Sequence, residues 1–111
     1  METKLIKEKQ LGRHPEYPGV DIAPMVGNDL SSDYRCAIVK VHPGGEILPH
    51  IHDTLEVAYI IEGEGKLLKN GETVTIKSGE VMYAPAGITH GIKNDGVCDM
   101  LLFATFPNCK K

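Results

Sequence analysis

Short strand-like runs, each closed by a glycine or proline turn, limit what this chain of 111 residues can fold into. Val20 to Val26, Tyr34 to Val41, Glu56 to Ile61, Glu72 to Lys77 and Val97 to Phe106 read as strands. Turn clusters separate them: GRHPEYPG (12–19), GNDLSSD (27–33), Pro43-Gly44-Gly45, Ser78-Gly79-Glu80 and Pro85-Ala86-Gly87. Asn70-Gly71, between Gly65–Lys69 and Glu72–Lys77, is the strongest short hairpin signal, because a type I′ turn needs positive φ twice. Pro24 places its strand at an edge or a bulge, and Pro107 halts the last strand. Leu5-Ile6 is expected to add a further edge strand. Turn signals every ~8–12 residues predict an all-β antiparallel sandwich or barrel with little helix. The length is that of one domain, 1–111, with its core in 34–106 and strands and loops in 1–33.

Within Gly44 to Gly63, GGEILPHIHDTLEVAYIIEG, three side chains able to ligate a metal fall within seven residues: His50, His52 and Glu56. On a strand, residues two apart share a face, so His50 and His52 project together. Glu56 joins them if the pleat continues through Asp53-Thr54-Leu55. A second stretch, GEVMYAPAGITHGIKN (79–94), carries His90 just after a turn. A strand with Val81 and Tyr83 leads into that turn and one with Ile92 leads out. By the same parity, Ala58 and Ile60 point inward with Glu56, and Ile88 and Ile92 with His90. That set is either the apolar lining of a pocket or ordinary core.

These residues resemble the two motifs of the cupin family. Gly44, His50, His52, Glu56 and Gly63 fit every position of the first, and Gly79, Pro85, Gly87, His90 and Asn94 every position of the second. The resemblance implies a small antiparallel β-barrel, or jelly roll, with one metal bound by His50, His52, Glu56 and His90. It also implies a homodimer paired through N-terminal strands. It does not select one reaction, since cupins include dioxygenases, isomerases, decarboxylases, sensing modules and storage proteins.

Three imidazoles and a carboxylate suit Mn(II), Fe(II), Co(II), Ni(II) or Zn(II), and the lack of thiolate argues against a closed structural zinc site. Affinity is expected to fall as pH drops toward the imidazole pKa. On a six-coordinate ion, four protein ligands leave two positions open for water, dioxygen or a chelating substrate. Two functions follow. One is a small-molecule metalloenzyme, dioxygenase-like first and isomerase or decarboxylase second. The other is a non-catalytic module that binds or senses a small ligand. Candidate catalytic groups are Glu56, swinging off the metal as a base, and the phenol of Tyr83, with Tyr59 behind it. Glu80 lies too close to a turn for such a role.

Net charge is −3 and no basic run tracks a phosphate backbone, so nucleic acid is not an expected partner. No apolar run approaches the ~20 residues that span a bilayer. METKLIKEKQ lacks the apolar core of a signal peptide, which makes the cytoplasm the default location. Cys36 and Cys98 read as reduced apolar strand residues and Cys109 as part of a tail, with no metal-type pairing. His14 reads as a solvated loop residue and His42 as a strand end.

Overall fold

The computed structural model describes residues 2–27, 30–31 and 33–107. Ten strands follow in order: β1 (Gly12–Arg13), β2 (Val20–Val26), β3 (Tyr34–Val41), β4 (Glu46–His50), β5 (Glu56–Glu62), β6 (Glu64–Lys69), β7 (Glu72–Lys77), β8 (Val81–Ala84), β9 (His90–Lys93) and β10 (Met100–Pro107). Among the described residues there is no helix, and so none long and apolar enough to cross a membrane. Cys109 and the Lys110-Lys111 tail lie outside the described residues, as do Asn28, Asp29 and Ser32 of the second turn cluster.

The strands form two sheets, ordered β1-β2-β3-β10-β5-β8 and β4-β9-β6-β7, with every pair antiparallel. The inner faces carry the core. On β10, Met100, Leu102 and Ala104 are buried while Leu101, Phe103 and Thr105 are only partly so, which is the period-two pattern of a sheet with one covered face. Val41, Ile60 and Ile92 meet that face from β3, β5 and β9. The hairpin β6–β7 turns at Asn70 (φ 46°) and Gly71 (φ 76°), the two positive values that type I′ demands. The register of β2 on β3 shifts between Pro24 and Val26, so the proline does sit at a bulge.

The N-terminal expectation fails. Leu5 is 85% exposed and belongs to no strand. The edge is instead the two-residue β1, paired with Asp21 and Ile22 of β2. Ile6 is partly buried, but two apolar residues among charges are too short a run to hold a strand of their own. The last strand also starts late, at Met100, and runs through Pro107; Val97 is 92% exposed and Cys98 lies in the preceding loop. Asn94 explains the delay. Fully buried, it donates from Nδ2 to the carbonyls of Val41 (2.8 Å) and Cys98 (2.7 Å) and accepts at Oδ1 from the Gly96 amide (3.0 Å). It folds residues 94–98 into a turn and pins that turn to the end of β3. Asn94→Ala removes all three bonds and should destabilise the protein by about 2–3 kcal/mol, read as a lower urea midpoint with unchanged slope.

His42 is more than a strand end. Its Nε2 lies 2.7 Å from Asp21 Oδ2 and its Nδ1 3.1 Å from Asp99 Oδ1, so one ring ties β2 to the approach of β10. The hydrogen bond to Asp21 raises its pKa; burial opposes this and Asp99 adds to it. With the folded pKa above the unfolded value, the clamp contributes fully below the unfolded value of about 6.5 and fades as pH rises through the raised one. Wild type and His42→Gln should therefore differ most near pH 6 and converge by pH 9. Because the three side chains are 31–45% exposed and so screened by solvent, the difference should stay below about 1 kcal/mol.

Candidate metal centre

Both motifs are drawn to one place by backbone bonds. The Gly44 amide donates to the Asn94 carbonyl (2.9 Å) and the Asn94 amide to the Gly45 carbonyl (3.0 Å), which joins the start of the first motif to the end of the second. The Gly87 amide donates to the His52 carbonyl (2.8 Å). Between these ties β4 pairs with β9, and His50 stands directly opposite His90. Side chains so paired have Cβ atoms about 5 Å apart, within reach of a shared ion.

The route to Glu56 differs from the expected one. The pleat does not continue through Asp53-Thr54-Leu55; residues 51–55 form a loop that carries the chain from the β4 sheet to the β5 sheet. His50 ends one strand, His52 sits on the crossing, and Glu56 opens the next strand in the opposite sheet. The three converge because the sheets face each other, not because they share a face. Parity holds once β5 begins: Ala58 and Ile60 are fully buried core below Glu56 and do not line the cavity. Ile92 is buried and does line it, whereas Ile88 is 41% exposed, since β9 starts only at His90.

One ligating atom from each of His50, His52, Glu56 and His90 lies within 4.8 Å of the others. Separations are 3.0 Å for His50 Nε2 to His52 Nε2, 3.3 Å for His52 Nε2 to Glu56 Oε1, and 3.1 Å for His90 Nε2 to Glu56 Oε1. Ligands held about 2.1 Å from one ion at right angles stand about 3 Å apart, so the group fits a divalent ion with little adjustment. The tautomers agree. His50 Nδ1 lies 2.8 Å from the Leu48 carbonyl, which can only accept, so the proton is on Nδ1 and the Nε2 lone pair faces the cluster. His90 Nδ1 faces the Ile88 carbonyl at a longer 3.4 Å.

Charge follows from the same contacts. Burial pushes the Glu56 carboxyl up, but hydrogen bonds from His52 and His90 outweigh it and bring the pKa down to about 2. Burial lowers the pKa of His50 against the pull of the Leu48 carbonyl, and the neighbouring rings lower it further. Glu56 raises that of His90 over the opposing effect of burial. Without an ion, a proton between His90 and Glu56 reconciles the facing acceptors; a bound cation would replace it.

Above the cluster is a cavity of about 190 Å³ with apolar walls from Val39, Ile47, Met82 and Ile92. Tyr83 is not in it. It points outward from β8 and is 63% exposed, while Met82 and Ala84 point in, so its phenol lies on the outer face, away from the cluster's cavity. Tyr59 is likewise on the outer face. His14, read as a solvated loop residue, instead lines the cavity with Glu16 and Tyr17. Its ring stacks on Tyr17 (4.6 Å, 28°), and Tyr17 lies 6.3 Å from the His50 ring. Burial and Glu16 raise the Tyr17 pKa, so this phenol keeps its proton. The GRHPEYPG composition marks a loop but carries no signal of what the loop covers. Phe106, stacked on His52 at 5.6 Å and 19°, completes one wall.

Residues 37–106 match the family model described as Cupin domain. An oxalate-binding protein of Thermotoga maritima is 38% identical over 69 residues, which are 61% of this chain and 57% of that protein. A 5-nitrosalicylic acid 1,2-dioxygenase of a Bradyrhizobium species is 32% identical over 84 residues, 76% of this chain and 41% of that protein. The matches thus span about half the length of these curated relatives. The solved structure of a predicted oxalate decarboxylase from Thermotoga maritima superposes with a TM-score of 0.85 at 27% identity, covering 96% of this chain and all of that one. A family match that takes in most of both sheets, and every residue of the converging cluster, makes this chain a member of the cupin family.

Proposed function

We propose that the chain holds one divalent transition ion on His50, His52, Glu56 and His90 and acts on a small chelating carboxylate, with dioxygenase-like chemistry as the leading activity. The convergence of three imidazoles and one ionised carboxylate beneath a cavity with apolar walls carries this reading. A redox-active ion there would supply oxygen chemistry, and a redox-silent one Lewis acidity. The chain's own residues supply the rest. The Leu48 carbonyl orients His50, and Glu56 cancels one of the ion's two charges. Val39, Ile47 and Ile92 give the ligand apolar walls to pack against. The protonated phenol of Tyr17 is placed to donate to a ligand oxygen. The low pKa of Glu56 makes it a good ligand and a poor general base near neutral pH.

The cavity is below the ~300–1,000 Å³ of drug-sized pockets, which fits a ligand of the size of oxalate or a single-ring acid. Both ligands named by the relatives bear two oxygens positioned to chelate one ion. The test is metal analysis of protein purified without added metal, then oxygen uptake with salicylate-type acids. Fe(II) or Mn(II) with substrate-dependent uptake supports the enzyme. The 38% identity to an oxalate-binding protein favours a second reading, a non-catalytic binding module. Tight oxalate binding to a redox-silent ion, with no turnover, would establish it. A homodimer is part of the proposal. Tyr59 and Val81, paired across β5 and β8, expose apolar surface on the outer face of the larger sheet, and sedimentation equilibrium tests whether a second copy covers it.

A further inference from the structure

The loop between β1 and β2 lines the same cavity as the clustered ligands. It is held at both ends: the His14 amide donates to the Val20 carbonyl (2.8 Å) and the His42 amide to the Gly19 carbonyl (2.9 Å). Gly19 packs on Gly45 so closely that a Cβ on either would meet backbone atoms of the other, which seats the loop on the turn of the first motif. Outside the cluster, the polar side chains lining the cavity among the described residues are His14, Glu16 and Tyr17, and the first and last can donate a hydrogen bond. The loop's own backbone fixes the tautomer of His14. The Glu16 amide donates to Nδ1 (3.1 Å), so the ring proton sits on Nε2. The stack on Tyr17 holds the two rings together, and Tyr17 packs on the core beside His50. Among the described residues neither His14 Nε2 nor the Tyr17 hydroxyl has an acceptor. Both side chains are half-buried at the cavity, where a ligand can reach them.

We infer that His14 is a specificity residue: with Tyr17 it donates to the ligand oxygen that the ion leaves free. The inference rests on the proposed metal site and narrows its ligands. A chelator gives two oxygens to the ion. A 2-hydroxybenzoate or oxalate, bound through one carboxylate oxygen and a neighbouring oxygen, keeps at least one carboxylate oxygen unbound. That oxygen carries partial charge and is a strong acceptor. The cavity lining holds no lysine or arginine to take it instead. A catechol has two oxygens only, and both go to the ion. The donor pair therefore selects chelating carboxylates over diol chelators.

The experiment is anaerobic calorimetric titration of Mn(II)-loaded protein with salicylate and with catechol. His14→Phe keeps a flat ring for the stack and removes the donor. It should weaken salicylate about 10-fold and catechol less than about 2-fold, with metal content unchanged. His14→Asn can still accept from the Glu16 amide but lacks the outer part of the ring. It should show the same loss for salicylate alone, which separates the donor from the loop's internal bond, and it decides the matter if the phenylalanine variant does not fold. Tyr17→Phe should likewise weaken salicylate about 10-fold and spare catechol. Unchanged salicylate affinity in the His14 variants, or equal losses for both ligands, overturns the role of His14 and leaves the metal site standing. Failure of the wild type to take up Mn(II) overturns both.

Discussion

His90→Ala should yield folded protein that loses at least ~100-fold in affinity for a divalent ion, more than the ~10–100-fold that follows loss of an outer-shell partner. The other three proposed ligands come from one seven-residue stretch; His90 alone reaches in from the second motif. It is also among the most buried of the four, at 5% exposure, so no water-borne group replaces it without leaving a hole. Metal per chain by elemental analysis, with circular dichroism for the fold, gives the answer. Glu56→Gln should behave alike, because the amide keeps an oxygen but not the charge that offsets the cation. Metal retained with activity gone would instead return Glu56 to the role of base. Tyr83→Phe, altered on the outer face, should change metal content by less than about 2-fold.

What could be read in the sequence was local and periodic. Tyr34 to Val41 matches β3 end to end: the run is rich in strand formers, and from Ala37 to Val41 buried and partly buried residues alternate. The Asn70-Gly71 turn needs no tertiary information at all. His90 opens its strand as the turn before it implies. The failures share a cause, which is that sheet changes and cross-strand neighbours leave no local trace. Residues 51–55 look like a continuing strand but carry the chain across the barrel. The Asp21–His42–Asp99 clamp joins positions far apart in sequence. The guanidinium of Arg35 meets the Phe106 ring only because β10 lies beside β3. The loop carrying His14 and Tyr17 is recognisable as a loop, but its position over the cavity depends on anchors at Val20 and His42.

Gly91→Ala should lower the urea midpoint by the equivalent of about 2–3 kcal/mol and also loosen the metal site. A Cβ at Gly91 would stand 2.7 Å from the Ile47 carbonyl oxygen, 2.9 Å from Pro49 N and 3.1 Å from Pro49 Cα. All three are backbone atoms, so no side chain can swing aside to make room. They belong to β4 at the place where its register on β9 slips between Ile47 and His50. A methyl group there acts as a wedge beside the His50–His90 pair, and the relief available is to part the two strands. That motion separates a ligand of the first motif from the ligand of the second, so metal affinity should fall about 10-fold or more even in the folded fraction, since a small misplacement at a site is felt strongly. Gly12→Ala is the control, because nothing lies within 4 Å of a Cβ there, and it should change stability by no more than about 0.5 kcal/mol. If Gly91→Ala kept both its midpoint and its metal, β4 and β9 could separate freely, and the pairing of His50 with His90 could not be what sets the spacing of the site.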